Sequence, residues 1–266
     1  MNYLLIVNPY GGKKSGKKIL KAIKPLFDNT NDQLFIIETA FAGHAKEIAN
    51  QYNFNNLDGL LFIGGDGTLQ EIINGMLSRN DKKQIPIGII PGGSGNSYAK
   101  DLNLSDPINA VNTIKNHKLL SVDTAKVNIN HITTYANNMV GWGLVTDIGK
   151  SAEKYRWLGP SRYTIMSILE VFKYKDRYTK LTIDNKIIHD HFVFIIACNS
   201  QHVGKGMKMA PKAKLNDGLI DIIAVKGRVS KYRLLKVLPK LFDGSHINEP
   251  EISYFQASSF SIIPQI

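Results

Sequence analysis

The stretch Gly64-Gly65-Asp66-Gly67-Thr68 sets one carboxylate among glycines, directly after the apolar run Leu60–Ile63. Glycine lets a backbone approach a ligand closely, and a helix opening behind the stretch would stabilise negative charge. An aspartate there would repel a bound phosphate. It is therefore expected to face an acceptor hydroxyl or a magnesium ion, since phosphoryl transfer needs a carboxylate near the attacking oxygen. The competing reading of Asp66 is a helix N-cap, a position that aspartate favours.

Two further loops have the same character. Asn8-Pro9-Tyr10-Gly11-Gly12-Lys13-Lys14-Ser15-Gly16-Lys17-Lys18 follows the run Tyr3–Val7 and nearly matches P-loop spacing. Lys18 stands where a P-loop carries the Ser/Thr that holds magnesium, and no second acidic strand motif is evident, so P-loop NTPase chemistry is set aside. Glycines entering a helix still offer backbone N–H groups to an anion. Pro91-Gly92-Gly93-Ser94-Gly95-Asn96-Ser97 follows Ile85–Ile90 and is a second candidate phosphate or nucleotide contact. One such loop is a weak signal, and three at successive strand ends of one sheet are a strong one.

The elements that must position these loops alternate. Strand-like runs at Tyr3–Val7, Leu34–Ile37, Leu60–Ile63 and Ile85–Ile90 are separated by helical stretches ending near Phe27, Gln51 and Leu77, with a further helix over Asn96–Leu102. This order predicts an α/β domain with a mainly parallel sheet, whose ligands bind at the carboxyl ends of the strands. From about Val122 the pattern becomes β-rich and antiparallel: Ala125–Ile129, Thr133–Met139, Lys180–Ile183, Ile187–Ile196 and Leu219–Val225. Hairpin turns are expected at Asn130-His131 and Asn185-Lys186. One inserted helix is expected over Tyr163–Tyr174, and another over Ser230–Phe242 is kinked at Pro239. The domains are thus 1–121 and 122–266, α+β overall.

The composition is that of a globular protein, with 43% hydrophobic and 21% charged residues. The apolar runs are strand-sized, no signal peptide is evident, and the single cysteine, Cys198, has no partner for a disulfide. A reducing, cytoplasmic setting is expected. The net charge of +11 favours anionic partners such as nucleotides or an anionic membrane surface. No nucleic-acid-binding motif is present. His189 and His191 alternate on a strand without a third ligand, so no metal site is expected there.

In order and spacing, Gly64–Thr68 and Pro91–Asn96 resemble the diacylglycerol kinase catalytic-domain family of lipid kinases. Its sphingosine kinase branch is resembled by Gly141-Trp142-Gly143-Leu144-Val145-Thr146-Asp147, by Glu153–Gly159 with Arg162-Tyr163, by His191–Phe194 and by Met209-Ala210-Pro211. The resemblance implies an N-terminal domain like that of NAD kinases and phosphofructokinases, a C-terminal β-sandwich, and ATP between them. It implies ATP and Mg2+ as cofactors, with Asp66 as the general base for a lipid hydroxyl. Asn8, Pro9, Thr39, Gly64, Gly65, Gly67, Thr68, Gly93, Ser94, Gly95 and Asn96 would surround the nucleotide, and Arg156 and Arg162 would reach its phosphates. The partners expected are a lipid substrate, transient contact with an anionic membrane and a second copy of the chain.

Two departures qualify the substrate and the activity. The sphingosine kinase branch places an aspartate two residues after Asp147, where it contacts the sphingoid head group; this chain has Gly149. The substrate-side residues are therefore Asp147 and Gly149, and ceramide or diacylglycerol stand beside sphingoid bases as acceptors. Family members also continue into strands carrying an Asp-Gly-Glu segment near the nucleotide, whereas this chain stops at Ile266. A weak or inactive nucleotide- or lipid-binding homologue is the alternative this implies. An NAD kinase shares the glycine–aspartate loop, and the second half argues against it.

Overall fold

The computed structural model describes residues 1–12, 14–28, 32–104, 106–155, 157, 162–204 and 206–265. The chain divides into two compact units, Met1–Asn137 and Asn138–Ile266.

The first unit is the expected α/β domain. Strands β1 (Asn2–Val7), β2 (Gln33–Glu38), β3 (Gly59–Gly64) and β4 (Ile87–Pro91) form one parallel sheet in the order β2-β1-β3-β4. Helices α1 (Gly16–Asp28), α2 (His44–Gln51), α3 (Asp66–Leu77), α4 (Ser97–Asp101) and α5 (Pro107–Lys115) connect and cover it. Leu4, Leu5, Ile6 and Val7 are all fully buried, as expected of a central parallel strand covered on both faces. Tyr3, Leu5 and Val7 meet Ile23 and Phe27 of α1 and Val111 of α5 in one core. Helix α5 falls in a stretch for which no element was expected, although Asp106 caps it by accepting from Ile108 and Asn109 N–H, with Pro107 in its first turn.

The hairpin β5 (Ala125–Ile129) and β6 (Ile132–Ala136) belongs to the first unit, so the boundary falls at 137 and not near 122. Its turn is Asn130-His131 as expected, both with positive φ. The reason for the later boundary is Asn74, buried on α3. Its Oδ1 accepts from Thr134 Oγ1 at 2.8 Å and from Tyr135 N–H at 2.9 Å, and its Nδ2 donates to Tyr135 O at 2.8 Å. Gln70 donates to the same carbonyl. Asn74→Ala leaves Tyr135 N–H and the Thr134 hydroxyl without this acceptor in a part-buried place and is expected to cost about 2–3 kcal/mol. Urea unfolding checks this; a loss under half of that range would mean that water replaces the amide.

The second unit is built on an antiparallel sheet. Its strands are β7 (Met139–Gly143), β8 (Arg177–Ile183), β9 (Lys186–Cys198), β10 (Ile220–Lys226), β11 (Ile252–Ala257) and β12 (Phe260–Pro264). The long β9 pairs with β8 along its first half and with β7 and β10 along its second. The β8–β9 turn is Asp184-Asn185, one residue earlier than expected, because Ile183 faces Lys186 and Asp184 takes the positive φ. The run Thr133–Met139 is not one strand: it divides between β6 and β7. Two helices precede β8 where one was expected, α6 (Leu144–Lys154) and α7 (Arg162–Lys173). Helix α8 (Lys231–Val237) gives way to a 3-10 turn over Leu238–Leu241 at Pro239, as the kink required.

Candidate active site

All three glycine loops lie at the carboxyl end of the parallel sheet, after β1, β3 and β4, and backbone contact holds them together. Gly92 N–H donates to Gly64 O at 2.7 Å, and Gly93 N–H is shared between Gly64 O at 3.1 Å and Asn96 Oδ1 at 2.9 Å. The chains run so close that a Cβ on Gly93 would sit 2.5 Å from Gly65 Cα. Gly12, at φ +55°, brings the first loop against the third, and a Cβ there would sit 2.8 Å from the Gly93 carbonyl carbon. Asn8 ties the first loop to the second, its Nδ2 donating to Thr68 Oγ1 at 3.1 Å while its Oδ1 accepts from Tyr10 N–H at 3.1 Å.

Asp66 lies in the first turn of α3, three residues before the expected helix start, with Gly65 as N-cap residue. Its carboxylate reaches across to the third loop, where Oδ2 accepts from Ser97 N–H at 3.1 Å and Oδ1 from Tyr98 N–H at 3.0 Å. Capping is therefore real, but the helix capped is α4 and not α3. Each oxygen keeps a further lone pair, so a carboxylate fixed in this way can still receive a proton from an incoming hydroxyl. Tyr98 is buried beside it in a small recess with Phe62, Leu69 and Ile89. Burial, with the Asp101 and Asp123 charges adding, pushes the Tyr98 hydroxyl above the ordinary phenol range, so it stays protonated.

Thr39 is buried at the end of β2 and donates its N–H to Val7 O at 2.8 Å. Together with Pro9, Tyr10, Lys14, Lys17 and Glu38 it lines an open groove. Of these, Tyr10, Lys14, Lys17 and Glu38 were not expected site residues, although Tyr10, Lys14 and Lys17 lie within the first glycine loop. Glu38 pairs with Lys17 at 3.0 Å. Glu71 was also missed. It accepts from Gly43 N–H at 3.0 Å and Ala45 N–H at 3.2 Å, tying the loop after Thr39 to α3. Gly67 and Ser94 are exposed, and Pro9 is buried beneath the groove.

The second unit holds the remaining expected residues. Asp147, in the first turn of α6, pairs with Arg177 at 2.7 Å, and that guanidinium lies 6.0 Å from the Trp142 ring. Nothing lies within 4 Å of a Cβ built on Gly149. Arg162 sits at the start of α7, 3.5 Å from Glu153. Arg156 lies outside the described residues. His191 pairs with Asp176 at 3.4 Å, and no group of three or more His, Cys, Asp or Glu that could hold a metal ion occurs among the described residues.

A parallel sheet with converging glycine loops, followed by an antiparallel β unit, defines a class, and comparison with known proteins places the chain within it. Residues 2–127 match the diacylglycerol kinase catalytic domain, and residues 138–265 match the YegS C-terminal NAD kinase beta sandwich-like domain. The chain belongs to the diacylglycerol kinase catalytic-domain family. It is 30% identical to sphingosine kinase 1 of Arabidopsis thaliana over 98% of its own length and 64% of that protein's. It is 25% identical to the diacylglycerol kinase of Bacillus subtilis (strain 168), over 97% of this chain and 84% of that one. A crystal structure of a diacylglycerol kinase from Bacillus anthracis str. Sterne covers the whole chain with a TM-score of 0.73 at 25% identity, and 86% of that structure is matched.

Proposed function

We propose that the protein is an ATP-dependent lipid kinase that transfers the γ-phosphoryl group to the hydroxyl of a long-chain lipid. The observation that carries this reading is Asp66, held by two backbone amides where three glycine loops meet, in a chain of this family. Asp66 takes the proton from the lipid hydroxyl. The backbone of Gly64, Gly65, Gly67 and Thr68, the amino end of α3, and Gly93, Ser94, Gly95 and Asn96 receive the phosphates. Asn8, Pro9 and Thr39 border the nucleotide. Magnesium enters as part of the nucleotide substrate. One carboxylate suits a metal brought in on phosphates, a mode that needs only one or two protein carboxylates.

The acceptor is a sphingoid base or a related lipid alcohol. The Arg177 guanidinium already pairs with Asp147 of α6, which favours a head group without its own positive charge, such as diacylglycerol. The net charge of +11 supports transient contact with an anionic membrane where such lipids reside. Among the described residues no helix is long and apolar enough to cross a membrane.

Transfer of labelled γ-phosphate to sphingosine, dihydrosphingosine, ceramide and diacylglycerol tests the reading. Label in one lipid fixes the reaction; nucleotide binding with no label in any lipid makes the chain a binding homologue instead. Gly149→Asp adds a carboxylate where there is room for one, at little cost to the helix because glycine is the poorer helix former. It is expected to raise the sphingosine-to-diacylglycerol rate ratio by roughly tenfold, the worth of one charge-assisted contact. An unchanged ratio would remove position 149 from the head-group site.

A further inference from the structure

Strand β2 ends in a carboxylate beside the first glycine loop. Glu38 lies opposite Val7, the last residue of β1, and Asn8 and Pro9 of the loop follow directly. Thr39 fastens the end of β2 to the same residue, its N–H donating to Val7 O at 2.8 Å. Glu38 and Thr39 line the open groove together with Pro9, Tyr10, Lys14 and Lys17. Among the described residues Glu38 is the only acidic one that lines it. Neither the contacts that hold the loops together nor the proton transfer to Asp66 makes use of this carboxylate.

The sheet order β2-β1-β3-β4 sets β2 and β3 on opposite sides of β1. The glycine loops converge after β1, β3 and β4, so the groove at the ends of β1 and β2 flanks them on the outer side. Adjacent strands lie about 4.8 Å apart, which sets Glu38 one strand spacing from the first loop, a step comparable to that from phosphate to sugar. A carboxylate accepts hydrogen bonds and donates none, and it repels phosphate. The part of a nucleotide that it can hold therefore carries donors and no charge. The ribose diol offers two hydroxyls to the two carboxylate oxygens. In strand, glycine loop, helix, strand units that bind dinucleotides, an acidic residue about twenty residues past the glycines takes the ribose hydroxyl. Glu38 stands in that place after Gly11, Gly12 and Gly16. Its pair with Lys17 at 3.0 Å does not compete, because both side chains are largely exposed and such a pair is weak. The pair also leaves lone pairs of the carboxylate open to a ligand.

We infer that Glu38 receives the 2′- and 3′-hydroxyls of the nucleotide's ribose and makes the site selective for ribonucleotides over deoxyribonucleotides. This rests on the kinase reading only in that a nucleotide binds; no step of phosphoryl transfer passes through Glu38. A hydrogen bond to a charged acceptor is stronger than a neutral one, and a missing hydroxyl leaves a carboxylate oxygen without its donor. Glu38 is thus a specificity-determining residue, and its loss should change which sugar is preferred more than it changes the hold on the phosphates.

Titration calorimetry of the full chain with ADP, 2′-deoxy-ADP and 3′-deoxy-ADP, each with magnesium, tests this without any lipid. Wild type is expected to bind ADP about tenfold more tightly than either deoxy form. In Glu38→Ala the preference should disappear while both deoxy forms still bind, which also shows that the variant is folded. Glu38→Gln keeps one acceptor oxygen and should discriminate against one deoxy form only. Lys17→Ala removes the ion pair and leaves the carboxylate, so the preference for ribose should persist there whatever happens to the overall affinity. Equal binding of all three nucleotides by the wild type, a preference untouched in Glu38→Ala, or a preference lost in Lys17→Ala would each overturn the role of Glu38 and leave the nucleotide reading standing. No binding of ADP at roughly millimolar concentration would remove the nucleotide reading and the role of Glu38 with it.

Discussion

Asp66→Asn is expected to lower phosphoryl transfer by about 10²–10⁴-fold, the range for loss of a positioned general base. The substitution is not silent structurally. The carboxylate accepts from both Ser97 and Tyr98 N–H, whereas an amide has one acceptor oxygen and turns an NH2 toward the other donor. A stability loss of about 1 kcal/mol should therefore accompany the activity loss. Measuring turnover well below the unfolding transition, with nucleotide affinity in parallel, separates the two effects. Retained turnover with lowered stability would reduce Asp66 to a clamp between α3 and α4. Lost turnover with intact nucleotide binding supports the base.

The largest stability effect should come from Arg79, which no chemical motif marks. Its guanidinium is buried at the far end of α3. Nη1 donates to Ala49 O at 3.0 Å, Asn50 O at 2.9 Å and Tyr52 O at 2.8 Å, gathering the last carbonyls of α2. The fork grips Asp81 at 2.8 and 2.6 Å, and the plane lies 4.0 Å from the Phe54 ring centre. Arg79→Ala strands these carbonyls, at about 1 kcal/mol or more each, and is expected to cost about 3 kcal/mol or more. Lysine keeps the charge without the fork and should recover only part of it. The clamp also has a pH signature. Hydrogen bonds from Arg79 and from Lys83 N–H hold the Asp81 carboxyl at about 2, below the ordinary 3.8. A depressed folded value gives stability that is complete above the unfolded value and is lost as pH falls from about 4 to about 2. Urea midpoints across that window should fall in wild type and fall less in Arg79→Ala; equal slopes would mean that the pair contributes nothing to acid sensitivity.

The parallel sheet was legible because its strands are unbroken apolar runs with glycine loops at their ends, and both signals are local. Helix α5 carried a readable start in Asp106-Pro107 that went unused. Helix α6 was hidden by the strand-like Gly141–Val145 and by Gly149 within it. The β8–β9 turn slipped by one residue because Asp184 and Asn185 are both tolerant of positive φ. In the site, the glycines and Asp66 could be read directly. The partners of Asp66 could not, since Ser97 and Tyr98 lie about thirty residues on and act through backbone atoms that have no residue signature. The unit boundary was misplaced for the same reason: a single buried amide reaches Tyr135 from sixty-one residues away.

That reach also bears on the order in which the chain can mature during synthesis. Helix α3, which opens with Asp66, is complete at Leu77, yet the Oδ1 of its buried Asn74 has no donor from the hairpin until Thr134 and Tyr135 have left the ribosome. At about 5–20 residues per second, several seconds pass with that polar group unmatched in an otherwise finished sheet. The first unit is thus closed by its last hairpin. An excised fragment ending at residue 121 would remain in that half-closed state, open to aggregation, while one ending at residue 137 would not.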